Sequence, residues 1–390
     1  MKSTEIINYL KSHGVSPNDK VDRKLWLSGH LIRGVWDGIP IIAVGSERNF
    51  ERKLNALVDG IYWCERSFEN PKTLRIIYGG YENSSKLLDS LATLIDCYQG
   101  EIKIEVEIDF KPCILELPDF SELGSKWLSL FQGRKLVNPP DNVLTLSKLV
   151  QDESFRWYRS VTGQAWSGRV EGLEVCRAAQ QAEYITVDVG KPGKKGDIGK
   201  ARQIFLDVVK KLNSNPGQFD SSRLKEAAAI IKAIADIRKN GELKNTIQEH
   251  HLESRVLREA LPVYVNGQLL KPVIEDYPFQ LPTLWSPNGK ARFLDALMRH
   301  ENVPWAVELK VITGSAGEYY RHAITQAVLY REFIKKAKQM HIWFIDHGLD
   351  AENCQGLVAF PKLVDRQKYL LKEHQTIGEL FGVKVIELES

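Results

Sequence analysis

The chain has 390 residues, 43% of them hydrophobic and 26% charged, with a formal net charge of +3. That length exceeds one typical hydrophobic core and predicts two or three domains, while no apolar run approaches the roughly 20 residues that a membrane span needs. The five cysteines (Cys64, Cys97, Cys113, Cys176, Cys354) are scattered and form no CxxC pair, which argues against a disulfide framework or a structural zinc site.

The opening stretch, MKSTEIINYLKSHG, patterns as an amphipathic helix without a signal-peptide core, so the expected location is the cytoplasm. Residues 40 to 120 then alternate strand and helix. IPIIAV (39–44) precedes the helical ERNFERKLNALVDGIYW, TLRIIYGG (73–80) precedes SSKLLDSLATLIDCY, and EIKIEVEIDF (101–110) has apolar residues at alternate positions. This predicts an N-terminal α/β unit over residues 1–140, a ligand sensor or an interaction scaffold, ending at the turn LVNPPDNV.

Residues 141–240 read as a basic α+β middle module. GRVEGLEVCRA and AEYITVDVG are strand-like, and two helices follow; the second, SSRLKEAAAIIKAIADIRKN, is expected to be capped by serine. Between residues 190 and 240 stand twelve Lys/Arg against five Asp/Glu, which points to a polyanion. The loop GKPGKKGDIGK lacks the spacing of a nucleotide-binding phosphate loop, but Lys191, Lys194 and Lys195 suit contacts to a phosphate backbone, with a solvated surface loop the equal alternative. FRWYRSVTGQAWSGR interleaves arginines with aromatic rings, a combination that serves either nucleic acid or an ordinary core.

After residue 240 the order is a helix (NTIQEHHLESRVLREAL), a hairpin around Asn266-Gly267, two strands in FLDALMRHENVPWAVELKV, and a long helix (GEYYRHAITQAVLYREFIKKAKQ). MHIWFID and GLVAF read as strands, KLVDRQKYLLKEH as a helix and VKVIELE as a last strand. Side chains two apart on a strand share a face, so Glu308 and Lys310 point one way while Val307 and Leu309 point towards a core. A hairpin across RHENV would let Asp295 converge on Glu308, and two converging carboxylates hold a hard divalent cation. Acid-x-Lys by itself is cheap and occurs six times in the chain, at 22–24, 51–53, 101–103, 109–111, 242–244 and 308–310. Asp96 even precedes Asp109 by the spacing that separates Asp295 from Glu308. Only the 308–310 copy has an Asp on a preceding strand and a long helix after it.

Residues from about 245 to 390 resemble the PD-(D/E)XK phosphodiesterase superfamily, the restriction-endonuclease-like fold, whose core runs αβββαβ. The resemblance implies that Asp295 and Glu308 bind metal together with the backbone carbonyl of Leu309, and that Lys310 assists the nucleophilic water. Leu294 stands where the motif's name has Pro. Gln326 and Tyr330, four apart on the following helix, resemble the Q-x-x-x-Y motif of the RecB-like branch, where they support the active site or the DNA. The superfamily often adds an acid from its first helix, and Glu253, bordering that helix's apolar face, is the choice here. His250, His251, His300 and His322 read as surface residues.

The expected whole is an α/β multidomain chain ending in a nuclease domain at 241–390. It would cut DNA, with RNA left open, using Mg²⁺ or Mn²⁺, in a setting of restriction or antiviral defence. Protein partners or a homo-oligomer are open, and no membrane is expected. The alternative is a nucleic-acid-binding or assembly subunit that retains the fold without cutting.

Overall fold

A helix packed on a parallel sheet must leave room for the side chains that rise from the strands, and Gly60 leaves that room for Ile42 in the N-terminal part of this computed structural model. A Cβ on Gly60 would come within 2.3 Å of Ile42 Cδ1. The structure describes residues 1–80, 84–132, 139–159, 165–179, 183–187, 207, 210–211, 217–239, 249–273, 281–283, 292–311, 316–362 and 368–389. Contacts group the chain into two compact units. One comprises Met1–Ser125, Thr283–Leu294 and Met298–Ser390; the other comprises Lys126–Pro282 and Asp295–Leu297. The chain is thus a mixed α/β protein of more than one unit. Among the described residues, no helix is long and apolar enough to cross a membrane.

The first unit opens with helix α1 (Ser3–Ser12), then strands β1 (Ile32–Trp36) and β2 (Ile39–Val44), helix α2 (Phe50–Ser67), strand β3 (Thr73–Tyr78), helix α3 (Ser84–Asp96) and strands β4 (Lys103–Ile108) and β5 (Lys111–Pro112). β1 and β2 form a hairpin turned by Asp37 and Gly38, both at positive φ (51° and 76°), the geometry of a tight primed turn. β2, β3 and β4 run parallel in that order, joined by α2 and α3. Both faces of β2 are covered, which is why IPIIAV is a continuous apolar run rather than an alternating one. Ile41 and Ala43 pack with Ile6 and Leu10 of α1, and Ile42 meets α2. Asn49 caps α2 by accepting from the Arg52 N–H at 2.9 Å. The strands and helices expected between residues 39 and 110 are all present; β1 is an addition.

Helix α4 (Phe120–Gln132) leads to the second unit, which holds helix α5 (Asp141–Val150), strands β6 (Phe155–Arg159), β7 (Ala165–Val170), β8 (Leu173–Ala179), β9 (Ile185–Val187) and β10 (Gly217–Phe219), and helix α6 (Leu224–Lys239). The strands form an antiparallel meander in the order β10-β9-β8-β7-β6. Its core joins Val143 and Leu146 of α5, Trp157, Trp166 and Val175 of the sheet, and Ile230 and Ile231 of α6. Trp157, Tyr158 and Trp166 are buried, so in FRWYR and AWSGR the aromatic rings are core rather than a nucleic-acid surface. The turn into α6 is capped by Asp220, which accepts from the Ser222 N–H at 3.0 Å, and not by a serine. Helix α7 (Glu249–Leu257) and the hairpin of β11 (Val263–Val265) and β12 (Gln268–Pro272), turned by Asn266 and Gly267, complete the unit. Glu171 accepts from Arg258 at 2.9 Å and pairs with His251 at 2.6 Å, fastening the end of α7 to the β7–β8 turn.

Beyond the short strand Leu281–Thr283, which pairs with β13, the elements that follow are β13 (Arg292–Leu294), β14 (Ala296–His300), β15 (Val303–Leu309), α8 (Ala316–Lys336), α9 (His341–Asp346), β16 (Gln355–Pro361), α10 (Lys368–Leu380) and β17 (Val383–Leu388). In the first unit β15, β16 and β17 run parallel, with Glu308 opposite Val358 and Leu309 opposite Ala359. α8 lies on β15 and β16, and α10 on β17. HIWFID, expected to be a strand, is the helix α9. A strand would put Met340, Ile342 and Phe344 on one face; instead Met340 and Phe344 are buried while Ile342 is 59% exposed, the spacing of a helical turn.

α2 and α8 are joined by a buried ion pair. Arg321 Nε donates to Asp59 Oδ1 at 2.7 Å, Arg321 Nη2 donates to the Trp26 carbonyl at 2.8 Å, and the guanidinium lies 4.4 Å from the Tyr62 ring centroid. Burial alone would raise the Asp59 carboxyl; Arg321 and His322 outweigh it and hold the group below its ordinary 3.8. Its stabilising contribution is therefore complete above about pH 4 and is lost as pH falls through the lowered value. Asp59→Ala leaves Arg321 buried without its counter-ion and should cost about 3–5 kcal/mol at pH 7. Chemical denaturation of the full chain measures this, and a loss below about 1 kcal/mol would place the pair among solvated surface bridges.

Candidate active site

The strand β15 is buried along nearly its whole length, with no solvated face on which to leave a charge. Glu308 nonetheless sits in it at 2% exposure, and Lys310 follows its last residue at 5%. Lys310 Nζ lies 2.5 Å from Glu308 Oε1, so each charge compensates the other. The backbone carries the pairing on past the strand end, with Lys310 N–H donating to the Ala359 carbonyl at 3.0 Å. Removing water from two such charges costs several kcal/mol per ion, and a well-packed apolar pair would be no less stable.

Lys310 lines a cavity of about 180 Å³. α8 contributes His322, Thr325, Gln326 and Tyr330 to its wall, and α2 contributes Phe50, Leu54 and Asn55. The expectation that Gln326 and Tyr330 share a helical face is met, and that face belongs to the same cavity as the lysine of the E-L-K motif. His322 extends the series by one turn, at positions i, i+4 and i+8 along α8. It was expected at the surface. Instead it is largely buried, with Nε2 at 2.8 Å from Asp59 Oδ2, on the carboxylate that also takes Arg321. The spacing of four was a legible signal for His322. Nothing in the sequence pointed to Asn55, which comes from a helix far earlier in the chain.

The other expected residues fall as follows. Leu309 is buried in β15, paired opposite Ala359. Asp295 stands at a bend between β13 and β14, half-buried, and belongs with the second unit. Glu253 is buried on α7, also in the second unit. Lys191, Lys194 and Lys195 lie outside the described residues. Among the described residues, no three His, Cys, Asp or Glu side chains are grouped to hold a metal ion; two carboxylates and a backbone carbonyl would not form such a group.

The acid-x-Lys copy at 109–111 has a structural role. Asp109 takes positive φ (48°) and accepts from the Gly80 N–H at 2.9 Å, while Asp96 is paired with Lys336 at 2.6 Å. No family model matches the chain, and no curated protein or solved structure is similar to it.

The pairing of Glu308 with Lys310 has a measurable signature. Lys310→Met takes the lysine away from a buried carboxylate and should destabilise by about 3–5 kcal/mol, whereas the double variant Glu308→Gln/Lys310→Met should lose clearly less than the Glu308→Gln and Lys310→Met losses combined. A double-mutant cycle by denaturant unfolding reads the coupling; additive losses would show that the two charges do not depend on each other.

Proposed function

We propose that this chain is a divalent-metal-dependent nuclease that hydrolyses phosphodiester bonds of DNA, with a restriction-endonuclease-like core in its C-terminal part. One observation carries the reading: the buried Glu308–Lys310 pair ends a covered strand, and its lysine opens into the cavity that Gln326 and Tyr330 line. A burial that costs this much and gains no stability over an apolar pair is explained by chemistry done there.

The donors suit a hard cation. On the family resemblance, Asp295, Glu308 and the Leu309 carbonyl would be the oxygen ligands, of the kind Mg²⁺ or Mn²⁺ takes, and Lys310 balances the charge of Glu308. When bound, such a metal supplies charge neutralisation at the scissile phosphate and a more acidic water. Lys310 orients that water and steadies the negative charge that develops on phosphorus oxygens. Gln326 and Tyr330 present an amide and a hydroxyl to the substrate backbone from the facing helix. Glu253 is a further acid of the proposed set. A role in restriction or defence against foreign DNA accords with the family resemblance.

Cleavage assays on single- and double-stranded DNA and RNA, with Mg²⁺ or Mn²⁺ against EDTA, test the reading. Asp295→Asn, Glu308→Gln and Lys310→Met should each slow cleavage by about 1,000-fold, a loss of about 4 kcal/mol in the transition state, in protein shown to be folded by circular dichroism. Wild-type rates in any of them would remove that residue from the site. The structural copy gives the control: Asp96→Ala and Asp109→Asn should leave metal-dependent cleavage unchanged. If they abolish it while Glu308→Gln does not, the chemistry lies elsewhere in the chain.

A further inference from the structure

The α8 wall of the cavity contains a hydroxyl that the proposed reaction does not use. Thr325 is fully buried, lines the cavity beside Lys310, and its Oγ1 has no hydrogen-bond partner among the described residues. A buried hydroxyl left in this state is costly, and a ligand that accepts from it removes the cost. Asn55 enters the same cavity from α2 with its side chain almost wholly buried, bringing an amide donor. His322 lines the same cavity, with its imidazole held through Nε2 by Asp59. The polar lining is completed by Lys310, Gln326 and Tyr330, with Glu51 at the exposed rim.

We propose that Thr325 and Asn55 form a subsite that takes a phosphate oxygen of the nucleotide adjoining the scissile bond. Hydroxyl and amide N–H donors bond more strongly to an anionic oxygen than to a neutral one, and a phosphate oxygen is such an acceptor. Two helices, α2 and α8, each supply one donor, which fixes the acceptor in one place rather than merely attracting it. The residues of α2 thereby become part of substrate binding, and the segment around Asn55 acts on the same substrate as the E-L-K strand. This inference rests on the nuclease reading for its choice of substrate.

The test is binding of a short fluorescent single-stranded DNA to the full chain in EDTA, so that no metal or turnover enters the measurement. Thr325→Val, which keeps the side chain's shape, and Asn55→Leu should each weaken binding roughly tenfold, the worth of one hydrogen bond to a charged group. Single methylphosphonate linkages, placed at each position in turn, then remove one phosphate charge at a time. At one position the neutral linkage should weaken wild-type binding while adding nothing to the loss in Thr325→Val. Abasic substitutions should leave the variant's defect as it was. Unchanged affinity in both variants, additive losses at every linkage, or coupling to a base instead of a linkage would overturn the subsite. If one variant fails to fold, the other decides. A wild-type protein that shows the coupling yet cuts nothing with any metal would sink the nuclease reading and leave the subsite standing; cleavage without coupling would do the reverse.

Discussion

The buried pair between Asp59 and Arg321 is the constraint on which the rest of the first unit depends. It takes one charge from α2 and one from α8, and neither is tolerable in the interior alone. Arg321 spends its other donor on the Trp26 carbonyl, and the carboxylate's second oxygen takes His322, so the charge is surrounded by directional bonds. Such a junction has one satisfactory geometry. It sets α2 against α8 at a defined rotation, and that rotation presents Asn55 and Leu54 to the cavity that Lys310 enters. A second fastening joins α2 to α10, where the Tyr62 hydroxyl donates to Glu373 at 2.6 Å and Arg66 pairs with the same carboxylate.

The Glu308–Lys310 pair stands in a different relation to the fold. Its partners lie two residues apart at the end of one strand. Its energetic effect on folding is a desolvation cost that mutual attraction offsets, and an apolar substitute could fill the same space. The contrast separates the two kinds of buried charge in this unit. Asp59 and Arg321 hold helices in place, whereas Glu308 and Lys310 are charges held in place by the sheet around them.

The second unit follows a simpler logic. Its meander buries Trp157, Trp166 and Phe155 against α5 and α6, and its β7–β8 turn is pinned to the end of α7 through Glu171. Arg169 lies 4.7 Å from the Tyr158 ring centroid, so the arginine and aromatic interleaving that suggested a nucleic-acid surface is met inside the unit itself. Composition alone does not separate these readings, because the same rings serve either purpose until burial is known.

What the sequence by itself determined is whatever depends on local period. The strands β2, β3 and β4, the hairpin at Asn266-Gly267, and the shared face of Gln326 and Tyr330 all follow from short apolar runs, spacings of two or four, and turn chemistry. The same spacing of four carried one turn further reaches His322, though a histidine with no visible partner reads as surface. IWFI is rich in β-formers and patterns as a strand, and only its surroundings make it α9, with Phe344 buried while Ile342 and Ile345 are not. The partnership of Asp59 with Arg321 and the entry of Asn55 into the cavity were decided by tertiary structure. The reason is physical: each depends on which surfaces meet across long stretches of chain, and burial, hydrogen bonding and counter-charge exist only after they have met.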